Sequence, residues 1–273
     1  MGAPVIALAV SGRGLVDPDE PVVHADDEAF LRGRGAFETT RVYAGRPFRL
    51  ERHLERLAES AARLGLAVPS GIPELAAEAL GAAGPVDAFL RLYVTPGREG
   101  RGEPLALALV GELPPDLEAM RRRGISLVTV PLGVDPPWLL GGVKSTSYAA
   151  NMVAVDEAKR RGADDALFLA RDGIVLEGPT TNVWWRQGET LHTPELALGV
   201  LAGVTRAVLA EAAPELGYRV EEGVYRLPEL LAADEAFTSS SVREVMPVAG
   251  VDGTRFELGP AARALQAALR ALT

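Results

Sequence analysis

The chain has 273 residues, 48% hydrophobic and 24% charged, with a formal net charge of −9. This length allows one large domain or two modest ones. The acidic balance argues against a nucleic-acid binder, which would present a basic field. The absence of cysteine excludes disulfides, thiolate nucleophiles and cysteine metal sites, and no apolar run approaches the roughly 18 residues that a membrane span needs.

In chain order, Val5 to Val10 reads as a short apolar strand. The opening stretch lacks a basic n-region and a long apolar h-region, so it reads as structure and not as a signal peptide; with no span in view, a cytoplasmic protein is expected. Ala36 to Tyr43 (AFETTRVY) mixes β-branched and aromatic residues as a strand does, and the turn 44–47 implies a hairpin. Leu50, Leu54, Leu57, Ala61 and Leu64 recur at helical spacing, which predicts an amphipathic helix over 51–65 ended by Gly65. Glu74 to Leu80 predicts a second helix, and Phe89 to Thr95 and Leu105 to Val110 two more strands. Leu113-Pro114-Pro115, a short helix to Arg123, Gly124 and the prolines at 131, 136 and 137 read as a helix and interdomain linker over 116–142. The expected domains are therefore 1–115, a smaller N-terminal α/β domain, and 143–273.

In the second half a helix is predicted from about Tyr148 to Arg161, stopped by Gly162. Asp172-Gly173 marks a hairpin between 166–170 and 174–177. A second hairpin joins Asn182–Arg186 to Thr190–His192, a helix follows over 205–212, and Ala236 to Ser239 reads as a strand. Strands and helices cluster irregularly, so the class is α+β.

Several familiar signatures are absent. There is no GxSxG elbow and no Walker loop. Gly33-Arg34-Gly35 resembles half a dinucleotide fingerprint, but Glu38 stands where its third glycine belongs. His24, His53 and His192 are scattered without metal-ligand spacing, so each reads as structural and no metal site is expected. Thr238 to Ser241 has no nearby base motif that would make a serine nucleophile.

Four segments in order carry the chemistry: Gly35 to Arg41 with His53-x-x-Arg56; Val143-Lys144-Ser145; Leu176 to Asn182; and Gly203 to Arg206 with Thr238 to Val248. Their order and spacing resemble the class IV aminotransferases, the fold-type IV enzymes that use pyridoxal 5′-phosphate (PLP). That family includes branched-chain aminotransferases, D-amino acid aminotransferases, (R)-selective amine transaminases and 4-amino-4-deoxychorismate lyases. The resemblance covers residues from about 20 to 250 and implies two domains with PLP between them, the second barrel-like.

Taken alone, Lys144 is a surface lysine; the resemblance makes it the residue that forms the Schiff base with PLP and then shuttles a proton. Glu177, otherwise a strand-end carboxylate, becomes the partner of the pyridine nitrogen, keeping it protonated so that the ring accepts electrons. Asn182 helps shape the same hairpin. Arg56 matches the phosphate arginine. Val204 and Thr205 open a helix whose N–H groups suit an anion, and Thr205, Ser240 and Ser241 supply hydroxyls to complete the phosphate cup.

Substrate selection is less defined. An amino-acid carboxylate calls for arginine, and Arg34, Arg91 and Arg243 are the candidates, with Phe37 beside them. The Arg-x-His pair of familiar D-amino acid aminotransferases is missing, because the sequence reads Thr95-Pro96-Gly97-Arg98-Glu99. Arg34 with Arg91 resembles a variant D-amino acid aminotransferase pattern and suits a dicarboxylate such as 2-oxoglutarate. Ser-Thr-Ser-Tyr after the lysine, in place of the branched-chain Gly-Gly-Asn-Tyr, favours the D-amino acid and lyase branches. The resemblance thus implies a transaminase moving an amino group from a D-amino acid to a 2-oxo acid such as 2-oxoglutarate or pyruvate. The alternatives are a 4-amino-4-deoxychorismate lyase, then a branched-chain or (R)-amine transaminase. Family members are homodimers whose N-terminal domains reach the neighbour's site, and Arg34 is a candidate for that reach.

Overall fold

A computed structural model describes residues 4–273; residues 1–3 of the expected first domain lie outside the described residues. The chain divides into two compact units, 1–114 with 143–148, and 115–142 with 149–273.

The first unit contains β1 (Val5–Val10), β2 (Gly14–Val16), α1 (Glu28–Arg32), β3 (Ala36–Tyr43), β4 (Arg46–Pro47), α2 (Leu50–Arg63), α3 (Ile72–Ala83), β5 (Ala88–Thr95) and β6 (Leu105–Glu112). Its strands form one sheet in the order β2-β1-β6-β5-β3-β4. Side chains alternate between the faces of a strand. Val42, Leu90, Leu92, Val94, Ala108 and Val110 therefore share one face and pack under α2 and α3 with Leu57, Ala61, Leu75 and Ala79. The opposite face carries Phe37, Thr39 and Arg41 of β3, paired across to Tyr93, Arg91 and Phe89 of β5. The turn between β3 and β4 is Ala44-Gly45, both at positive φ, as a tight hairpin of this hand requires.

α2 ends in a Schellman arrangement: Gly65 at φ 66° donates to the Ala62 carbonyl and Leu66 to that of Ala61. Its buried face differs from the leucine stripe read in the sequence. His53, Arg56, Leu57, Ser60 and Ala61 are buried, whereas Leu50, Leu54 and Leu64 are half-buried at the margin. The helix is turned so that polar side chains meet Glu38, which β3 places on the core face between Ala36 and Val42.

The second unit contains α4 (Leu117–Arg123), β7 (Ile125–Pro131), α5 (Ala149–Arg160), β8 (Asp165–Leu169), β9 (Asn182–Gln187), β10 (Thr190–Pro194), α6 (Val204–Ala212), β11 (Arg219–Gly223), α7 (Leu227–Leu231), β12 (Glu235–Ser240), β13 (Glu244–Val251), β14 (Thr254–Arg255) and α8 (Pro260–Ala271). The sheet runs β11-β10-β9-β12-β13-β7-β8, with β14 on β13. Residues 174–177 join the ends of this path: Leu176 donates to Phe168 of β8, and Val175 donates to Tyr225, just past β11. Asp172 and Gly173 both take positive φ at the expected turn. α5 stops at Gly162, whose φ of 75° lets Ala163 donate back to Ala158. Among the described residues no helix is long and apolar enough to cross a membrane.

Residues 116–142, read as helix and linker, differ from that reading. Ile125–Pro131 is an inner strand of the second sheet, parallel to both β13 and β8. The flanking prolines disguised it, yet Pro131 stands at the strand's last position, where a missing N–H is tolerated. Residues 143–148, expected to open the second domain, belong to the first unit: Ser145 bridges Ala36, and Thr146 N–H donates to the Gly35 carbonyl. β13 and α8 went unread; β13 is buried over most of its length, so it shows no alternation.

Candidate active site

In the first unit the segment carrying Lys144 runs along the start of β3. Phe37 N–H donates to the Lys144 carbonyl at 3.1 Å, and Lys144 N–H donates to Ser60 Oγ of α2 at 3.2 Å. Both backbone groups of the lysine are thus held by elements that share the core of the first unit. Its Nζ lies 4.3 Å from the centre of the Phe37 ring and 5.7 Å from that of Tyr148. Phe37 stacks on Tyr93 at 5.9 Å and meets Tyr148 edge-on at 5.2 Å, so the two rings beside the amine are themselves held by aromatic contacts.

Behind this strand, on the core face, Glu38 is 1% exposed. Arg56 Nε donates to its Oε1 at 2.7 Å and Arg56 Nη2 to its Oε2 at 2.8 Å. His53 Nδ1 lies 2.6 Å from Oε2. Burial alone would push the Glu38 carboxyl up, but the hydrogen bonds and charges of Arg56 and His53 outweigh it and hold it at about 2. For His53 burial wins: its pKa falls below the ordinary value despite the carboxylate, with the Arg56 and Lys144 charges acting in the same direction. A neutral His53 donating from Nδ1 satisfies this arrangement. Arg56 is therefore not a solvated helix charge: its side chain is 9% exposed.

The candidate substrate arginines differ in their surroundings. Arg91 is half-buried on the face that carries Phe37; its Nε donates to Thr39 Oγ1 at 3.2 Å, and its Nη1 lies 3.5 Å from the Tyr93 hydroxyl. Arg34 is exposed and spans Glu28 Oε2 at 2.8 Å and the carbonyls of Leu64 and Gly65, each at 3.3 Å. It thereby caps the C-terminus of α2, where a cation offsets the helix dipole. Arg98, at the place of the missing Arg-x-His pair, donates from Nε to both oxygens of Asp26.

In the second unit Glu177 Oε2 accepts from Leu201 N–H at 3.0 Å and from Asn182 Nδ2 at 3.2 Å. Asn182 also donates to the Leu201 carbonyl at 2.9 Å. These bonds fix the carboxylate to the hairpin and to the loop before α6. No side chain caps α6: its N-cap is Gly203, and Val204 and Thr205 are buried. A Cβ on Gly203 would sit 2.1 Å from Asn182 Oδ1, so only glycine lets the helix start this close to the Glu177 hairpin. Ser240 and Ser241 are half-buried at the β12–β13 turn, where Ser240 Oγ accepts from Arg243 N–H at 3.3 Å. Arg243 itself pairs with buried Asp165, Nη1 to Oδ2 at 2.5 Å.

Sequence reasoning missed Glu38, Ser60, Tyr93, Tyr148 and the Leu201 amide. Only Glu38 left a usable signal, as a carboxylate on the apolar register of a strand.

Two sheets of this topology, a lysine among aromatic rings and a carboxylate held beside an uncapped helix define a fold-type IV enzyme. The chain belongs to the class IV aminotransferase family, whose model matches residues 35–251. It is 34% identical over 267 residues to a bifunctional aminodeoxychorismate lyase / D-amino acid transaminase of Mycobacterium tuberculosis, covering 91% of this chain and 92% of that one. Among solved structures it resembles a fold IV-transaminase from Curtobacterium pusillum, with 36% identity, TM-score 0.88 and 97% of each chain covered. It also resembles a hypothetical aminotransferase from M. tuberculosis bound to α-ketoglutarate and PMP, with 33% identity, TM-score 0.90, and 97% and 98% covered.

Proposed function

We propose that the protein is a PLP-dependent transaminase that moves an amino group from a D-amino acid to a 2-oxo acid such as 2-oxoglutarate or pyruvate. The observation that carries this reading is the face of β3 and β5. It presents Lys144 Nζ over Phe37, Phe37 stacked on Tyr93, and Arg91 beside the Tyr93 hydroxyl. An amine-bearing lysine and a carboxylate-binding arginine on one face suit an amino acid.

The donors present fit PLP. An uncapped, buried helix start offers N–H groups to a phosphate, and a carboxylate held in place by Leu201 N–H and Asn182 Nδ2 suits a protonated pyridine nitrogen. When bound, PLP supplies the electron sink that makes the substrate Cα–H acidic. Lys144 would hold the cofactor, and its amine would move the proton at the substrate Cα. Glu177 keeps a proton at the ring nitrogen, and Asn182 keeps Glu177 in place. Val204, Thr205, Ser240 and Ser241 are the residues of the second unit assigned to the phosphate, and Arg56, whose Nε and Nη2 hold Glu38, is the arginine of the first unit assigned to it. Arg91 takes a substrate carboxylate, with Arg34 and Arg243 as subsidiary candidates; the ion pairs of these two make them the weaker carboxylate ligands. A cytoplasmic homodimer is the assembly we propose, supported by the exposed apolar pair Phe30 and Leu31 on α1. Light scattering of the wild type against Phe30→Asp tests it: an equally dimeric variant removes α1 from the interface, and a monomeric wild type removes the dimer.

The test of the reaction is the absorbance of the lysine-bound cofactor during separate additions of D-glutamate, L-glutamate and D-alanine. Conversion to the pyridoxamine form by the D-amino acids alone is expected; conversion by L-glutamate alone refutes D-specificity. The bifunctional relative supports a second reading, 4-amino-4-deoxychorismate lyase. Pyruvate release from aminodeoxychorismate without a 2-oxo acid acceptor would establish it.

A further inference from the structure

The turn that joins β12 to β13 is held in a manner its hydroxyls do not need for their own hydrogen bonds. Ser240 pairs with Glu244 across the strands, which leaves Ser241, Val242 and Arg243 as a three-residue loop. Left-handed backbone at a hairpin turn is ordinarily supplied by glycine. Here it is Glu244, at φ 57°, a conformation unfavourable for a residue with a Cβ. Glu244 is 1% exposed. Strain kept at a buried residue needs surroundings that over-determine it.

Those surroundings are present. Arg121 of α4 reaches across and donates from Nε to the Val245 carbonyl at 3.1 Å. Its Nη2 donates to the Arg243 carbonyl and to Glu244 Oε2, both at 2.9 Å. Arg270 of α8 meets the two carboxylate oxygens, Nε to Oε1 at 2.5 Å and Nη2 to Oε2 at 2.7 Å. Gln266 donates from Nε2 to Glu244 Oε2 at 2.8 Å and accepts from Val245 N–H at 2.9 Å. The other side of the turn is tied by Arg243 to Asp165 on β8. Arg121 of α4 and Gln266 of α8 thus hold the backbone of residues 243 and 245, while Arg270 and Asp165 hold the side chains of Glu244 and Arg243. Glycine at 244 would relieve the backbone but forfeit every one of the carboxylate bonds.

We propose that Arg121, Glu244 and Arg270 are positioning residues that hold the Ser240–Arg243 turn in the geometry a phosphate monoester requires, so that cofactor selection for phosphate depends on a cluster that does not touch the cofactor. This rests on the assignment of Ser240 and Ser241 to the phosphate. The effect is specific to the phosphate end. Displacing the turn alters hydroxyl placement there, while the backbone of Lys144 keeps its own bonds to Ser60 and Phe37.

The experiment is a titration of apoprotein with PLP and, separately, with pyridoxal, which lacks the phosphate, followed by the absorbance of the lysine-bound chromophore. Arg121→Met and Glu244→Gln are expected to weaken PLP at least tenfold while pyridoxal affinity stays within twofold. Glu244→Gly, which relaxes the backbone but removes the carboxylate, is expected to behave like Glu244→Gln. Equal losses for the two ligands, no loss for either, or wild-type PLP affinity in Glu244→Gly each overturn the proposal. Should Arg121→Met fail to fold, Arg121→Lys and Arg270→Met carry the same comparison, with a smaller fall in the PLP-to-pyridoxal ratio expected and an unchanged ratio overturning it. The double variant Ser240→Ala/Ser241→Ala separates the two layers. A lowered ratio there with an unchanged ratio in the Arg121 variants defeats the positioning role and leaves the phosphate assignment standing. An unchanged ratio in the serine double variant defeats both.

Discussion

Glu38 and Arg56 meet through two hydrogen bonds of 2.7 and 2.8 Å, with both side chains buried. The pair lies beneath the strand whose other face carries Phe37 and, over it, the Lys144 ammonium. Buried pairs of this kind contribute little when exchanged whole for apolar residues but cost about 3–5 kcal/mol when one partner is removed. Glu38 therefore sets where the Arg56 guanidinium sits, and α2 is turned to deliver His53 and Arg56 to it at the expense of its leucine stripe.

Acid stability follows from this pair. The Glu38 carboxyl is held at about 2 in the fold against an ordinary 4.5. Its contribution is complete above pH 4.5 and is lost as pH falls toward 2, on the order of 3 kcal/mol in all. His53, whose pKa is lowered in the fold, adds a loss that begins as pH falls below its ordinary 6.5, because the unfolded chain takes up that proton more readily. Asp164, also held at about 2, first by the Arg123 hydrogen bond, shares the lower window. Denaturant unfolding of wild type and Glu38→Gln from pH 7 to pH 2 checks this. The stability gap between them should narrow below pH 4.5, and a gap constant with pH defeats the assignment.

At Gly203 the prediction concerns a single methyl group. Alanine there would bring its Cβ to 2.1 Å from Asn182 Oδ1, and Asn182 cannot swing away without releasing Glu177 and the Leu201 carbonyl. Gly203→Ala should lose roughly 1–3 kcal/mol of stability by overpacking and bind PLP more weakly. Thermal unfolding of the apoprotein and a PLP titration report the two effects; wild-type values in both would show that the helix start has room.

Removing the Glu177 charge should act on rate more than on structure. Glu177→Gln keeps an acceptor for Leu201 N–H, whose bond to the wild-type carboxylate is 3.0 Å, but cannot keep a proton on the ring nitrogen. Single-turnover conversion with a D-amino acid is expected to slow by about a hundredfold or more, with thermal stability little changed. An unaltered rate would falsify the role given to Glu177.

Arg91 and Arg34 make a contrasting pair. Arg91→Ala should raise the KM for 2-oxoglutarate by about tenfold or more, as expected when a charge-assisted bond to a carboxylate is lost. Arg34→Ala should instead lower stability through the carbonyls of Leu64 and Gly65 and change KM less. Steady-state kinetics and unfolding of both variants decide between the roles, and the reverse pattern would exchange them.

Much was legible in the amino-acid sequence because it is local. Strand β3, the body of α2 and its stop at Gly65, and the Asp172-Gly173 turn follow from side-chain periodicity and from glycine's tolerance of positive φ. The order of the motifs around Lys144, Glu177 and Gly203 was enough to indicate the family. What only the tertiary structure decided involves pairs distant in the chain. Ile125–Pro131 is an inner strand because β13 and β8 flank it, and its prolines concealed that. Residues 143–148 join the first unit through backbone bonds to Gly35 and Phe37, which no local pattern encodes. Arg243 and Arg34 carry the same charge as Arg91, but Asp165 and the end of α2 engage them. A charged side chain takes its role from the partner that desolvates or neutralises it, and that partner is chosen by packing.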